Sequence, residues 1–288
     1  MSDILIPRLT IIGVGLIGGS LALALKEAGA VGEVVGCGRG KPNLEKALEL
    51  GVIDRYSRDP VAAVKDADVV FLATPVKTLA SVTAELLPGL QPGAIITDGG
   101  SVKGAVAEAI EPLLPEGIHF VPGHPIAGTE KSGAEAAFAS LYRGKRCILT
   151  PTEKTAPQAL SLVTEMWQLA GSEVVQMSME KHDRVLAAIS HLPHMVAYSL
   201  VNAVGSYDHY EENILEYSAG GFRDFTRIAS SDPTMWRDIA ETNREALLEM
   251  MGQFETFFAE LKADVAQGSG EKLFEFFLRS KQLRDEIL

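Results

Sequence analysis

The stretch Leu9-Thr10-Ile11-Ile12-Gly13-Val14-Gly15-Leu16-Ile17-Gly18-Gly19-Ser20-Leu21-Ala22-Leu23-Ala24-Leu25 changes character in its middle. A β-branched run opens it, glycines and a serine are grouped after that, and alternating leucine and alanine close it. It carries no charge between Arg8 and Lys26, yet it falls short of the roughly 20 apolar residues that a membrane span needs. It therefore reads as a strand, a turn and a helix rather than as a signal-peptide core. Within it, Gly13-Val14-Gly15-Leu16-Ile17-Gly18 is G-x-G-x-x-G, placed directly after the strand and opening the helix. Gly13 permits the tight turn, Gly15 lets a pyrophosphate approach the backbone, and Gly18 lets helix and strand pack closely. Leu16 and Ile17 lie at the helix N-terminus, which faces the phosphate charge. The alternative is a glycine turn with no ligand.

Outward from this turn the pattern alternates up to about residue 175. Strand-like runs stand at 9–12, 33–37, 68–73, 94–98, 119–122, 147–150 and 173–176, with helical stretches between most of them. Such alternation predicts an α/β architecture, a Rossmann-type mostly parallel sheet covered on both faces. From about Met179 the strand signal disappears, and an all-helical domain is expected. Pro233 to Leu261 reads as one long helix. Trp236, Ile239, Ala240, Leu247, Met250, Met251, Phe254, Phe257, Phe258 and Leu261 follow three- and four-residue steps, a stripe suited to a bundle or a subunit interface, or to simple packing within one chain. The expected division is a nucleotide-binding domain over 1–175 and a helical domain over 178–288.

Composition narrows the partners. A net charge of −12 over 288 residues argues against sequence-independent nucleic-acid binding, which needs a basic field. No membrane partner and no metal site are expected. Two cysteines, Cys37 and Cys147, exclude a disulfide scaffold and suit a reducing cytoplasm.

The end of the second strand bears on which dinucleotide is bound. An acid about 20 residues past the glycines would hold the ribose hydroxyls of NAD. Here the sequence is Gly36-Cys37-Gly38-Arg39-Gly40-Lys41, with no acid. Arg39, helped by Lys41, suits a 2′-phosphate, so NADP is favoured over NAD; the alternative is a solvated basic loop with NAD held through adenine and pyrophosphate. Thr74, in the Thr-Pro turn that ends another strand, is a cofactor-lining candidate or a simple turn cap.

The segment 122–133, PGHPIAGTEKSG, wedges His124 between a glycine and a proline, in a stretch that is neither a regular helix nor an interior strand. The order G-V-G-L-I-G-G-S (13–20), A-T-P (73–75), T-D-G-G-S-V-K (97–103), G-H-P-I-A-G-T-E-K-S-G (123–133), I-S-H-L-P-H (189–194) and G-G-F-R-D-F-T-R-I-A (220–229) resembles the prephenate and arogenate dehydrogenases of tyrosine biosynthesis. The resemblance runs through nearly the whole chain, and the last four motifs are the more specific ones.

It implies an oxidative decarboxylation, in which a cyclohexadienol gives hydride from C4 to a nicotinamide while its C1 carboxylate leaves as carbon dioxide. By this resemblance His124 is the base acting on the C4 hydroxyl, a task for which neutral imidazole is suited. A histidine satisfying loop carbonyls is the alternative. Ser101 is a hydrogen-bond partner of that hydroxyl or of His124, compatible with a role as N-cap of a helix from Val102. Arg227 corresponds to the family arginine that pairs with a substrate carboxylate, against a plain helix-surface bridge to Asp224. His194 and Ser190 flank Pro193 in a helix start or kink and either face the substrate or fill core. Glu130 either pairs with the ammonium that distinguishes arogenate from prephenate, or positions helices and answers Lys131.

A homodimer through the helical domain is expected. Two other functions compete: another dehydrogenase with Rossmann and helical domains acting on a hydroxy or imino acid, and a non-catalytic NAD(P)-sensing module. The first usually relies on a lysine in its helical domain, and none stands there in a comparable motif. The second needs none of Ser101, His124 and Arg227. Only eight residues precede Leu9, so the chain is expected to lack a mutase-like helical extension and to be monofunctional.

Overall fold

The first strand, β1 (Ile6–Ile12), is apolar nearly throughout because both of its faces are covered. Leu9 and Ile11 enter one packed layer and Ile12 the other. Thr10 is buried as well, its hydroxyl donating to the Ala63 carbonyl at 2.9 Å. Such two-sided burial is the signature of a parallel sheet. The computed structural model describes residues 4–129, 131–208 and 214–287.

Around β1 lie β2 (Val31–Cys37), β3 (Arg55–Ser57), β4 (Val69–Leu72), β5 (Ile95–Asp98) and β6 (His119–Val121). The order is β3-β2-β1-β4-β5-β6, with every neighbouring pair parallel. This is the doubly wound order, and its direction reverses between β1 and β4, where ligands of such sheets bind beyond the carboxyl ends. β3 was not expected, since Arg-Tyr-Ser at a sheet edge offers no apolar run. Helices α1 (Leu16–Glu27), α2 (Lys41–Glu49), α3 (Pro60–Ala63), α4 (Leu79–Leu86), α5 (Gly104–Ile110) and α6 (Pro157–Leu169) cover the sheet.

The last two strand-like runs do not join this sheet. β7 (Gly123–Pro125), β8 (Arg146–Leu149) and β9 (Glu173–Gln176) form a separate three-stranded sheet in that order. β7 runs antiparallel to β8 with His124 opposite Ile148, and β8 is parallel to β9. The segment 122–133 thus contains a strand after all, but an edge strand, where a proline is tolerated.

After β9 the described elements are helical: α7 (Met179–Leu186), a π-helical turn (Ala187–His191), α8 (Leu192–Asp208), α9 (Gly220–Thr226), α10 (Pro233–Thr242), α11 (Arg244–Gln267) and α12 (Gly270–Asp285). One expectation holds and one needs correction. Pro193 stands in the first turn of α8, as expected; it lacks the N–H that would meet the Ile189 carbonyl, and the π-helical turn just before it takes up the mismatch. The long helix over 233–261 is two helices, parted at Asn243, whose φ of −108° and ψ of 37° leave the helical region. The apolar stripe splits as well, but further along, within α11. Trp236, Ile239 and Leu247 are buried, whereas Phe254, Phe257 and Phe258 are exposed.

The helices pack against the carboxyl end of the sheet. Val102, just past β5, is buried against Trp236 and Ile239 of α10, with Val76, Met195 and Tyr198 around them. Lys77 forms an ion pair with Glu241 across the same junction. Among the described residues no helix is long and apolar enough to cross a membrane.

Candidate active site

The glycine turn follows β1 at the point where the strand order reverses. Gly13 has φ +97°, and a Cβ there would lie 2.6 Å from the Ala73 carbonyl and 3.1 Å from Thr74. A Cβ on Gly18 would stand 2.5 Å from both the Gly13 carbonyl and Ile11. These two positions therefore exclude any side chain, while Gly15 faces open space. No side chain caps the start of α1, and its first turn, from Leu16 through Ile17 to Gly18, holds no acid. An uncapped helix start beside an open glycine is a cradle for an anion, and these residues fit the pyrophosphate of a dinucleotide. Thr74 sits against Gly13 and accepts a hydrogen bond from Thr78 at 3.0 Å. The Gly13 N–H donates to the Cys37 carbonyl at 2.8 Å, which brings the end of β2 alongside the turn. There Gly38 has room for a larger side chain, with nothing nearer than 3.8 Å. Arg39 is exposed and makes no ion pair among the described residues, whereas Lys41 faces Glu45 at 3.4 Å.

A second cluster is built beyond β5 and β6 around one buried carboxylate. Asp98 accepts the N–H groups of Gly100 at 2.8 Å and Gly123 at 3.1 Å, so the backbone just before Ser101 and just before His124 hangs on the same side chain. Its counter-charge is the Lys103 ammonium, which also donates to the Gly123 carbonyl at 2.6 Å; neither Asp98 nor Lys103 has any exposed surface. His124 is thereby held on both sides of Gly123.

His124 is 9% exposed. Its Nδ1 lies 2.9 Å from Nε2 of His182, whose own Nδ1 lies 2.8 Å from the Asp183 carboxylate. That carboxylate accepts the N–H groups of Lys103 and Gly104, each at 2.9 Å, and so caps α5. Burial, then the neighbouring His182, Lys103 and His191, push His124 well below the ordinary 6.5, and burial lowers His182 as well. Burial alone would raise the Asp183 carboxyl; the hydrogen bonds from His182 and the two backbone N–H groups outweigh it and hold the group below its ordinary value. Nε2 of His124 makes no hydrogen bond among the described residues.

Ser101 is partly buried, and its hydroxyl makes no hydrogen bond among the described residues. It does not cap the following helix: α5 begins at Gly104, and Asp183 from α7 takes that place. His194 is stacked on Trp236, with ring centroids 3.7 Å apart, and its Nδ1 donates to the Ser190 carbonyl at 2.8 Å. Ser190 therefore meets His194 through its backbone. Arg227, on the turn after α9, is exposed and does not bridge Asp224; its charge acts instead on His194, adding to the burial that lowers that ring. Glu130 lies outside the described residues.

Sequence reasoning passed over Asp98, Lys103, His182, Asp183 and Asn243. The Asn243 amide donates to the Asp183 carbonyl at 2.8 Å and lies 3.1 Å from Nδ1 of His191, so the break between α10 and α11 is bonded into this cluster. The available signal was weak: an adjacent His-Asp pair in the first turns of a helix capped by Ser178.

A doubly wound sheet with a glycine turn at its reversal, and a buried histidine held beyond its carboxyl edge, define an NAD(P)-dependent dehydrogenase. The family model described as prephenate dehydrogenase, nucleotide-binding domain, matches residues 21–176, and that described as prephenate dehydrogenase, dimerization domain, matches 178–279. The chain belongs to the prephenate dehydrogenase family. It is 39% identical to the cyclohexadienyl dehydrogenase of Zymomonas mobilis, over 96% of this chain and 94% of that protein. Among solved structures it is similar to the prephenate dehydrogenase of Aquifex aeolicus in complex with hydroxyphenyl propionate and NAD+, with a TM-score of 0.92 and 41% identity over 98% of each chain. The arogenate dehydrogenase of Synechocystis superposes with a TM-score of 0.81 at 29% identity, covering 98% of this chain and 100% of that one.

Proposed function

We propose that this chain catalyses the oxidative decarboxylation of a cyclohexadienol, prephenate or arogenate, in tyrosine biosynthesis, with NAD(P) as the cofactor. The observation that carries the reading is His124: a neutral imidazole fixed through one nitrogen, beyond the same sheet edge as the glycine turn. Bound NAD(P) supplies the hydride acceptor. His124 draws on the C4 hydroxyl proton as hydride leaves C4; the C1–carboxylate bond breaks, and its electron pair completes the aromatic ring. Ser101 adds a hydrogen bond to the same hydroxyl. Arg227 meets a substrate carboxylate with its planar fork, and His194 and Ser190 line the ring. Glu130, outside the described residues, is the carboxylate that would pair with the side-chain ammonium that arogenate has and prephenate lacks. The test is turnover of both substrates with both cofactors, following reduced cofactor and carbon dioxide together. Absence of coupled release with either substrate would remove the proposal.

Residues 1–175 serve as the nucleotide domain in this reading, and 178–288 as the substrate and dimerisation domain. The exposed faces of Phe254, Phe257 and Phe258 on α11, and of Phe274 and Phe277 on α12, support a homodimer through these helices. Cys37 and Cys147 are both buried free thiols, which suits the cytoplasm; burial pushes the Cys37 thiol up to about 11.

Arg227→Ala is expected to raise the substrate KM by roughly 10- to 100-fold, the worth of a charged hydrogen bond. Cofactor KM should stay near its wild-type value. Equal effects on both ligands would return Arg227 to a structural role.

NADP is favoured over NAD because the exposed Arg39 guanidinium stands at the end of β2 where an acid would otherwise grip ribose. Arg39→Ala should weaken NADP much more than NAD, and Gly38→Asp, in open space, should move the preference towards NAD. Steady-state constants for both cofactors decide this; wild-type enzyme that uses NAD well and ignores NADP would overturn it.

A further inference from the structure

We propose that His182 and Asp183 are positioning residues that fix His124 as its Nδ1–H tautomer and thereby leave Nε2 as the nitrogen that takes the substrate proton. The inference rests on the reading of His124 as the base, and it follows from the polarity of a hydrogen-bond chain. Asp183 accepts backbone N–H groups on both carboxylate oxygens, one of which also faces His182 Nδ1. An ionised carboxylate has no proton to give, so His182 Nδ1 must be the donor in that contact. A neutral His182 protonated on Nδ1 offers only a lone pair at Nε2. The atom facing that lone pair at 2.9 Å is His124 Nδ1, which must then carry the proton. Its ring is completed by an unprotonated Nε2, the nitrogen with no protein partner among the described residues.

The chain holds this polarity only while His182 is neutral, since a doubly protonated ring would donate from both nitrogens and force a lone pair onto His124 Nδ1. Three features of the packing oppose that state. His182 has no exposed surface, the Lys103 ammonium is near enough to oppose its protonation, and Asp183 divides its negative charge among three donors. The arrangement extends the logic of a carboxylate that orients a catalytic imidazole by one further ring. Asp183 is in turn held from the far side through its own carbonyl by Asn243. The tautomer of a residue in the small sheet is thus set from the helical part of the chain.

Long-range ¹H–¹⁵N correlation spectra of histidine-labelled protein test this directly, with His124 assigned by its loss in His124→Asn. The expected wild-type result near pH 7.5 is a protonated Nδ1 and an unprotonated Nε2 in both His124 and His182. A wild-type His124 protonated on Nε2 overturns the inference, and that measurement needs no variant to fold. Kinetics supply the second arm. His182→Leu should lower kcat about 10²-fold or more, as for an imidazole in the wrong tautomer, with both KM values within about threefold. His182→Gln, whose amide oxygen can accept from His124 Nδ1, should restore most of that loss. A folded His182→Leu enzyme with wild-type kcat also overturns the inference. Retained activity in His124→Asn is a different result: it removes the base assignment while leaving the observed tautomer unaffected.

Discussion

His124→Asn is expected to lower kcat by roughly 10²–10⁴-fold, the range that a positioned general base contributes. Cofactor affinity should be unchanged, because the glycine turn and Thr74 belong to other strand ends. Asparagine keeps a polar group near His182 but removes the group that accepts a proton. The pH profile supplies an independent check. His124 is held well below 6.5, chiefly by burial, so the active neutral ring persists as the pH falls through 6.5 and is lost only below it. The acid limb of kcat/KM should therefore lie under pH 6.5 in the free enzyme. Near-wild-type turnover in the variant, or an acid limb at or above 6.5, would take the proton transfer away from this residue.

The second large effect is on stability. Lys103→Met removes the ammonium paired with Asp98 where neither group touches solvent, and it leaves the carboxylate with only the N–H groups of Gly100 and Gly123. Breaking a buried pair by deleting one partner costs about 3–5 kcal/mol, because the remaining charge cannot rehydrate. Urea unfolding should show a loss of that size, accompanied by reduced kcat, since Lys103 also holds the Gly123 carbonyl. A loss under about 1 kcal/mol would mean that the two backbone donors already satisfy Asp98.

Much of this site could be read from the chain. Gly13, Gly15 and Gly18 announce themselves because close backbone approach admits only glycine, and the strands of the main sheet other than β3 because two-sided burial leaves largely apolar runs. His124 was visible through its neighbours. What escaped the reading was whatever long-range contact decides. Nothing near Asn243 in sequence marks a helix break in an otherwise continuous apolar stripe; its partners are 52 and 60 residues away. His182 and Asp183 look like the polar first turns of an ordinary helix, and only the fold sets them against β7 and α5. Ser101 misled for the opposite reason, since a serine before a helix suggests a local cap, yet the capping carboxylate arrives from 79 and 80 residues further along the chain. The run 147–150 was correctly a strand, but a run of four residues does not state which sheet it joins.

The shared anchoring of Gly100 and Gly123 on Asp98 sets a rule for loop transplantation among relatives. A graft that moves residues 119–126 alone would present His124 on a backbone whose tether belongs to a different segment of the host. A graft of residues 95–104 alone would place the Lys103 ammonium against a foreign carbonyl. The smallest transferable module is discontinuous, spanning both segments together, and chimeras that divide it should accumulate as insoluble protein before any change in substrate choice can be observed.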